Sequence, residues 1–427
     1  MKEGSAVSEA GAAYSSAPST PYPGYNKRLL AMLFFGNAAL FSVYSALGGI
    51  LVPSMIQSAD PIHKVTSLAL VNGVGAVFAM VLNPLGGAWS DHTRSRWGRR
   101  TPWLIGAALV TLLFSIFFGV QQTVFGILMG WCLAQGAGNV FQASLTAVVP
   151  DRVPAGKRGT ASALAGLGTM LGALIGLGLG GAFIQQPVVA ATLVGILLVV
   201  VAVLFVTLAP DSPFTEAPVA RQATLAQSVR SFFSSLGDHD FLFAFLSRLL
   251  MVMGTAAVEG YYFYLLQDYI GITRYGLQPQ TGVLILTAVS SVGALVTVVL
   301  GGVLTDRSGR RKAVVIGSAV FSALVMILPL IWPTWPVMIA FSALVGLAFG
   351  LQMSVGSALV TLVLPKAEDN ARDLGILNIA NAVPHIIAPF IAGPIIAYLG
   401  GYSTLFLWGI GFGLLGALAI VPIRGVK

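Results

Sequence analysis

The sequence predicts an all-α membrane protein with twelve transmembrane helices arranged as two six-helix, pseudo-symmetric halves. Three observations carry that expectation. Only 9% of the 427 residues are charged and 56% are hydrophobic, whereas a soluble domain carries about 25% charged residues. Twelve apolar runs are each long enough to cross a bilayer. Landmarks in the first half of the chain return in the second at an offset of about 214 residues.

A soluble fold of this size needs more charge than this to cover its surface. The mean hydropathy of +0.87 leaves apolar residues facing something other than water, which excludes a soluble enzyme or a nucleic-acid-binding protein. The net charge of +8 then reads as basic loops on one side of a membrane. The single cysteine, Cys132, sits inside an apolar run and permits no intrachain disulfide. Fifty glycines and 22 prolines, many within apolar stretches, suit packed membrane helices.

A bilayer core of about 30 Å needs roughly 20 apolar residues per helix. The runs cover 28–52, 65–90, 101–121, 123–149, 158–184 and 188–209, then 240–268, 279–304, 312–332, 335–364, 372–399 and 402–423. Residues 1–26, rich in Ser, Ala and Pro, read as a disordered cytoplasmic tail and not as a cleavable signal. The expected halves are 27–209 and 240–427, joined by a polar cytoplasmic linker over 210–239. With the N-terminus inside, 20 of the 23 basic residues fall on inner segments, the outer loops hold only Lys64 and Arg274, and Arg248 lies within a span. The positive-inside rule then places both termini in the cytoplasm of a multi-pass plasma-membrane (cell inner membrane) protein.

The repeat is visible in particular residues. GGAWSDHTRSRWGRR, Gly86 to Arg100, follows the second run, and GGVLTDRSGRRK, Gly301 to Lys312, follows the eighth. Asp91 and Asp306 are 215 apart, as are Pro150 and Pro365, while Arg158 and Arg372 are 214 apart. Two related halves of this kind are a common build of secondary transporters, with the solute site near the midplane between them.

The second copy of the loop resembles the signature of the major facilitator superfamily, G-x-x-x-D-R-x-G-R-R, almost residue for residue. The first copy, SDHTRSRWGRRTP, looks like the longer form in the glycoside/sugar cation symporters and the sucrose-transporter branch. The resemblance implies the major facilitator fold. It also implies a cytoplasmic latch of Asp91, Arg94, Arg96, Arg99 and Arg100 with Asp306, Arg307, Arg310 and Arg311, holding in one conformation and breaking in the other. Acids at helix ends and fork-shaped guanidinium donors suit that role; setting topology alone would need no Asp or Gly at fixed spacing. Departures are present. His92 replaces the usual Arg after Asp91, the second run has no acid before Asp91, and Thr146 stands where the sucrose-type pattern has arginine. In the fifth run Gly172 precedes Ala173 and Gly176 precedes Leu177, so the Gly-Pro pair of proton-driven drug exporters is absent. The glycines at 168, 172, 176 and 180 form a small-residue stripe for close helix packing; the resemblance places it where the halves meet.

Charges inside spans are costly and mark function. Glu259 and Arg248 share the seventh run; eleven residues put them about 20° apart on one face and about 16.5 Å apart along the axis. Glu259 is the candidate proton carrier, because an apolar surrounding disfavours a charged carboxyl. A hydrogen-bonded glutamate beside Tyr261, Tyr262 and Tyr264 is the bland alternative. Arg248 can bind an anionic group or anchor the inner gate, and snorkelling to the cytoplasm explains it almost as well.

Polar uncharged residues describe the expected cavity. Gln135, Asn139 and Gln142 share one face of the fourth run, and Asn378, Asn381 and His385 one face of the eleventh. Asn37 and Tyr44 in the first run, Asn72 and Asn83 in the second, Tyr262 in the seventh and Gln352 in the tenth complete the set. Such a lining suits a hydroxylated or a neutral amphipathic solute, with interhelical hydrogen bonding as the alternative for any one amide.

No P-loop occurs, and His63, His92, His239 and His385 form no H-E-x-x-H motif. The expectation is therefore a transporter and not an enzyme, without cofactor or metal, acting as a monomer on a small organic solute by alternating access. Proton-coupled symport of a sugar-like or glycoside-like solute leads; proton-driven efflux of a small amphipathic compound is the first alternative. A non-transporting receptor or scaffold is the second.

Overall fold

The computed structural model describes residues 25–211, 237–308, 311–363 and 370–423, without the side chains of 155, 299–311, 355–379, 381, 382 and 386. Most of the expected tail and most of the expected linker therefore lie outside the described residues. Those described are helical with no strand. The long helices are α1 (Lys27–Ala59), α2 (Lys64–His92), α3 (Thr101–Gly119), α4 (Val124–Arg152), α5 (Arg158–Ala182) and α6 (Pro187–Leu208). After the linker come α7 (His239–Glu259), α8 (Pro279–Ser308), α9 (Arg311–Val325, extended by Ile327–Ile331), α10 (Trp335–Val363), α11 (Asn370–Tyr398) and α12 (Ser403–Ile420). Eleven are long and apolar enough to cross a membrane; α11 carries the shorter apolar stretch Val383–Tyr398.

Local chemistry sets the helix ends. Asn26, Thr123 and Asp238 accept from the backbone N–H groups of Leu29, Gly126 and Phe241 at 2.8, 3.1 and 2.9 Å, each capping a first turn whose donors have no intrahelical partner. Pro187 and Pro279 open α6 and α8, where a missing N–H costs nothing.

Two spans depart from the expected runs. α1 continues past 52 through a π-helical turn, Ser45–Leu51, to Ala59; Pro53 sits in the first turn after it, where proline is tolerated. The seventh span is interrupted. α7 stops at Glu259, and a short turn, Tyr262–Tyr264, leads into a π-helical turn, Leu265–Ile270. The break falls at Gly260–Tyr261, and the Tyr261 hydroxyl lies 3.3 Å from both the Val65 carbonyl of α2 and the Pro389 carbonyl of α11.

The packing repeats at an offset of six helices. α1 packs on α5 and α6, α2 on α4, and α3 on α4 and α6; α7 packs on α11 and α12, α8 on α10, and α9 on α10 and α12. Between the two groups α2 meets α11 and α5 meets α8, a symmetric pair. The glycine stripe of α5 faces α1, within the first group: a Cβ on Gly168, Gly172 or Gly176 would overlap the carbonyl oxygens of Phe34, Ala38 and Ser42. The resemblance had put that stripe between the halves. Its last member, Gly180, also faces α1, at Ala46 and Ile50; the neighbouring Gly181, off the stripe, is the glycine that faces Gln280 of α8. Leu113, Val292 and Leu418, each more than 60% exposed, belong to an apolar outer surface that lipid covers in a multi-pass protein.

Candidate functional site

A cavity of about 640 Å³ lies between the two groups of helices. The first group contributes Tyr44, Ser45, Gly48 and Gly49 of α1, Asn72 of α2 and Thr169, Met170, Ala173 and Leu177 of α5. The second contributes Glu259 and Tyr262 around the α7 break, Thr287, Ser290 and Ser291 of α8, Phe349 and Gln352 of α10 and His385 of α11. Among the described residues, no Lys or Arg lines the cavity. Glu259 exposes its carboxyl to this space and makes no hydrogen bond or ion pair with a described residue. The break in α7 explains its position: as the last residue before Gly260, it projects where the helix stops covering the wall.

The expected solute contacts divide. Tyr44, Asn72, Tyr262, Gln352 and His385 line the cavity together with Glu259. Asn37 donates to the Leu33 carbonyl at 2.8 Å, one turn back on its own helix. Asn139 donates to the Gln135 carbonyl at 2.9 Å and accepts from Asn83 at 3.3 Å, joining α4 to α2. Gln142 is half-buried away from the lining. The side chains of Asn378 and Asn381 lie outside the described residues. Arg248 is half-buried on α7, with Nη2 3.5 Å from the Met353 sulfur of α10, and does not line the cavity.

Three buried polar atoms near the cavity have no hydrogen-bond partner among the described residues: Tyr44 Oη, Trp131 Nε1 and Gln135 Oε1. A polar atom in that condition costs about 1–3 kcal/mol.

The end of the bundle away from the basic loops is closed by bonds between the groups. Lys64 pairs with Asp268, 2.8 Å from Oδ2 and 3.0 Å from Oδ1, and the Tyr402 hydroxyl donates to the same Oδ2 at 2.7 Å. Lys64 also lies 4.9 Å from the centre of the Tyr264 ring, while Tyr264 donates to the Pro53 carbonyl at 2.8 Å and Gln267 to Gln57 at 3.0 Å. Beside this cluster the His63 backbone N–H, donating to Asp60 at 3.1 Å, holds the Asp60 carboxyl below the usual carboxylate range.

At the basic-loop end, Arg100 is the hub. Its guanidinium pairs with Asp91 at 2.6 Å and Asp151 at 2.9 Å and donates to Ser90; Arg99 pairs with Asp151 at 2.7 Å. Gly98, at φ +90°, turns the chain so that the backbone N–H groups of Arg99 and Arg100 reach Asp211 at 3.0 and 3.3 Å. Only glycine takes that conformation without strain. Arg94 and Arg96 are exposed. Asp306, Arg307, Arg310 and Arg311 have side chains outside the described residues.

Sequence reasoning missed Asp151 and Asp211 as partners of the arginines, and missed Trp131 altogether. It also passed over Thr287, Ser290 and Ser291, although their spacing of three and four marks one helical face. Lys64 and Asp268 carried a usable signal, since each is an isolated charge at the end with few charges.

Comparison with known proteins accords with this architecture. The chain matches the family model of the Major Facilitator Superfamily over residues 33–296 and 272–426. An uncharacterized symporter of Synechocystis sp. is 46% identical over 51 residues, 12% of this chain and 9% of that one. Proton-associated sugar transporter A of Homo sapiens is 29% identical over 133 residues, 29% of this chain and 17% of the human one. The chain thus spans less than a fifth of either curated relative. Among solved structures, the nucleoside transporter NupG superposes with a TM-score of 0.70 at 13% identity, covering 93% of this chain and 100% of that one. The peptide transporter POT in complex with sulfate gives 0.74 at 15% identity, covering 94% and 96%; at such identities the likeness is one of fold. By the family match over nearly its whole length, the chain is a member of the Major Facilitator Superfamily of membrane transporters.

Proposed function

We propose that this transporter moves a neutral, hydroxylated solute of sugar or glycoside type together with a proton, using Glu259 as the proton carrier. The observation that carries the reading is a cavity between the two helix groups whose described lining combines apolar side chains with hydroxyl and amide groups, one histidine and a single carboxyl, Glu259. A wall with no Lys or Arg among its described residues supplies no fixed positive charge for an anion, while Ser, Thr, Asn, Gln and Tyr side chains exchange hydrogen bonds with hydroxyls. A carboxyl facing such a space can be neutral in one half of the cycle and charged in the other. The sugar-transporter and symporter names of the two curated relatives support the same class.

The bonded end and the cavity beneath it fit one state of an alternating-access cycle, closed away from the basic loops. We place those loops and both termini in the cytoplasm by the positive-inside rule, in the plasma membrane, with the halves at 27–209 and 240–427 as the moving bodies and the monomer as the working unit. The arginine–aspartate cluster around Asp91 and Arg100 is the first half's share of the cytoplasmic latch.

The test uses purified protein in proteoliposomes with a panel of labelled methyl glycosides. An inward proton gradient drives accumulation in wild type; Glu259→Gln abolishes accumulation and leaves solute exchange at zero gradient intact. Accumulation that survives the substitution refutes the proton role. Efflux of an amphipathic compound is the second reading, favoured by the apolar part of the wall: Phe41, Met170, Leu177, Phe263, Val283 and Phe349. It gains if the vesicles move lipophilic cations and none of the glycosides.

A further inference from the structure

Behind the cavity wall of the first helix group, polar groups converge that no helix contact uses. Trp131 and Gln135 lie one turn apart on α4, and Gly138 continues the same face. The Tyr44 hydroxyl abuts Gly138, where a Cβ would stand 2.9 Å from it. The Trp131 ring fits between Gly48 of α1 and Gly75 of α2: a Cβ on Gly48 would stand 2.7 Å from the ring edge, and one on Gly75 would meet the indole nitrogen and lie 3.5 Å from Gln135 Oε1. The indole nitrogen and the amide oxygen thus both approach the Gly75 position, and neither atom has a hydrogen-bond partner among the described residues. Trp131 is only 6% exposed. Tyr44 and Gly48, which touch these groups, also line the cavity, as does Asn72, one turn from Gly75.

A buried donor, a buried acceptor and a hydroxyl that can be either form an incomplete hydrogen-bonding set. Buried polar groups in folded proteins are normally paired, and pairing within the wall would have needed no glycine cradle. We propose that Tyr44, Trp131 and Gln135 form a hydroxyl-recognition subsite: adjacent hydroxyls of the solute accept from the Trp131 indole N–H and donate to Gln135 Oε1, and the Tyr44 side chain is the movable cover between them and the cavity. The inference rests on the sugar reading above and names where that solute is read. It assigns recognition to the first helix group and leaves proton handling to Glu259 in the second, so a bound solute bridges the two groups that must move together. With no Lys or Arg among the described lining residues, the cavity offers an anionic solute no fixed positive charge.

The test combines three variants with two readouts. Tyr44→Phe, Trp131→Phe and Gln135→Met each remove the polar atom and keep most of the volume. In proteoliposomes given the methyl glycoside that wild type takes up best, the KM of each variant rises about tenfold, the loss of one good hydrogen bond, with gradient dependence retained. A monodeoxy analogue lacking the recognised hydroxyl is taken up equally by wild type and variant. In detergent without solute, the Tm of Tyr44→Phe and Gln135→Met is unchanged or higher, since each removes an unpaired buried group. A fall in Tm with KM unmoved overturns the subsite and makes the three groups elements of helix packing. Wild type that moves a glycoside while all three variants keep its KM overturns the subsite alone. Wild type that takes up none of the panel overturns the sugar reading and the subsite with it.

Discussion

The pair Lys64–Asp268 holds the closed end shut, and neutralising it shifts the conformational balance by a calculable amount. The ions are 2.8 Å apart with side chains 17% and 28% exposed, so the pair is neither a solvated surface bridge nor a dry one. At an effective dielectric of about 20, charges roughly 4 Å apart attract by about 4 kcal/mol, and most of that is returned as lost hydration. A net worth of about 1.5 kcal/mol, that of a charge-assisted hydrogen bond, remains. Asp268→Asn keeps an acceptor for Tyr402 and removes only the charge, so the ratio of closed to open falls about tenfold. Spin labels read this directly. Ile62 is 86% and Tyr275 43% exposed on opposite groups at this end; Ile62→Cys with Tyr275→Cys, on a Cys132→Ser background, reports their separation by pulsed electron resonance. The expected result is a second, longer distance population in Asp268→Asn, matched by Lys64→Met and not enlarged in the double variant. An unchanged distribution, or effects of the two substitutions that add fully, refutes the gate.

Two further expectations concern stability, and the transport test of Glu259→Gln stands beside them. Gly172→Ala forces a methyl onto the Ala38 carbonyl of α1 and lowers stability by about 1–3 kcal/mol, seen as a lower Tm in detergent. Gly178→Ala, on the same helix but with open space around its Cβ position, leaves Tm in place. Arg100→Ala leaves Asp91 without its ion-pair partner and Asp151 with Arg99 alone and costs about 2–3 kcal/mol, less than breaking a fully buried pair because Asp91 is half in solvent and Asp151 keeps a cation. Arg96→Ala, exposed, stays within about 0.5 kcal/mol of wild type. Equal effects of Arg100→Ala and Arg96→Ala refute the hub.

The span pattern was legible because lipid imposes a local rule: a crossing segment needs its own run of apolar residues and its own backbone bonds. Hence α2 at Lys64–His92 and α10 at Trp335–Val363 lie within one or two residues of the expected bounds. The same locality made the α7 break hard to see. Gly260 alone is tolerated within helices, and what stops the helix there is accompanied by Tyr261 reaching carbonyls of α2 and α11, 196 and 128 residues away.

The residues by themselves determined the membrane class, the span pattern, the repeat and the presence of a glutamate, Glu259, well inside the seventh run, because composition, run length and spacing are properties of the chain. Only the tertiary structure decided which polar groups face the cavity and which tie helices together. Asn139 and Gln135 lie on one face of α4, yet the Asn139 side chain bonds to α2 while Gln135 Oε1 has no partner among the described residues. Helical periodicity places a side chain on a face; the neighbouring helix decides whether that face meets a partner or a solute.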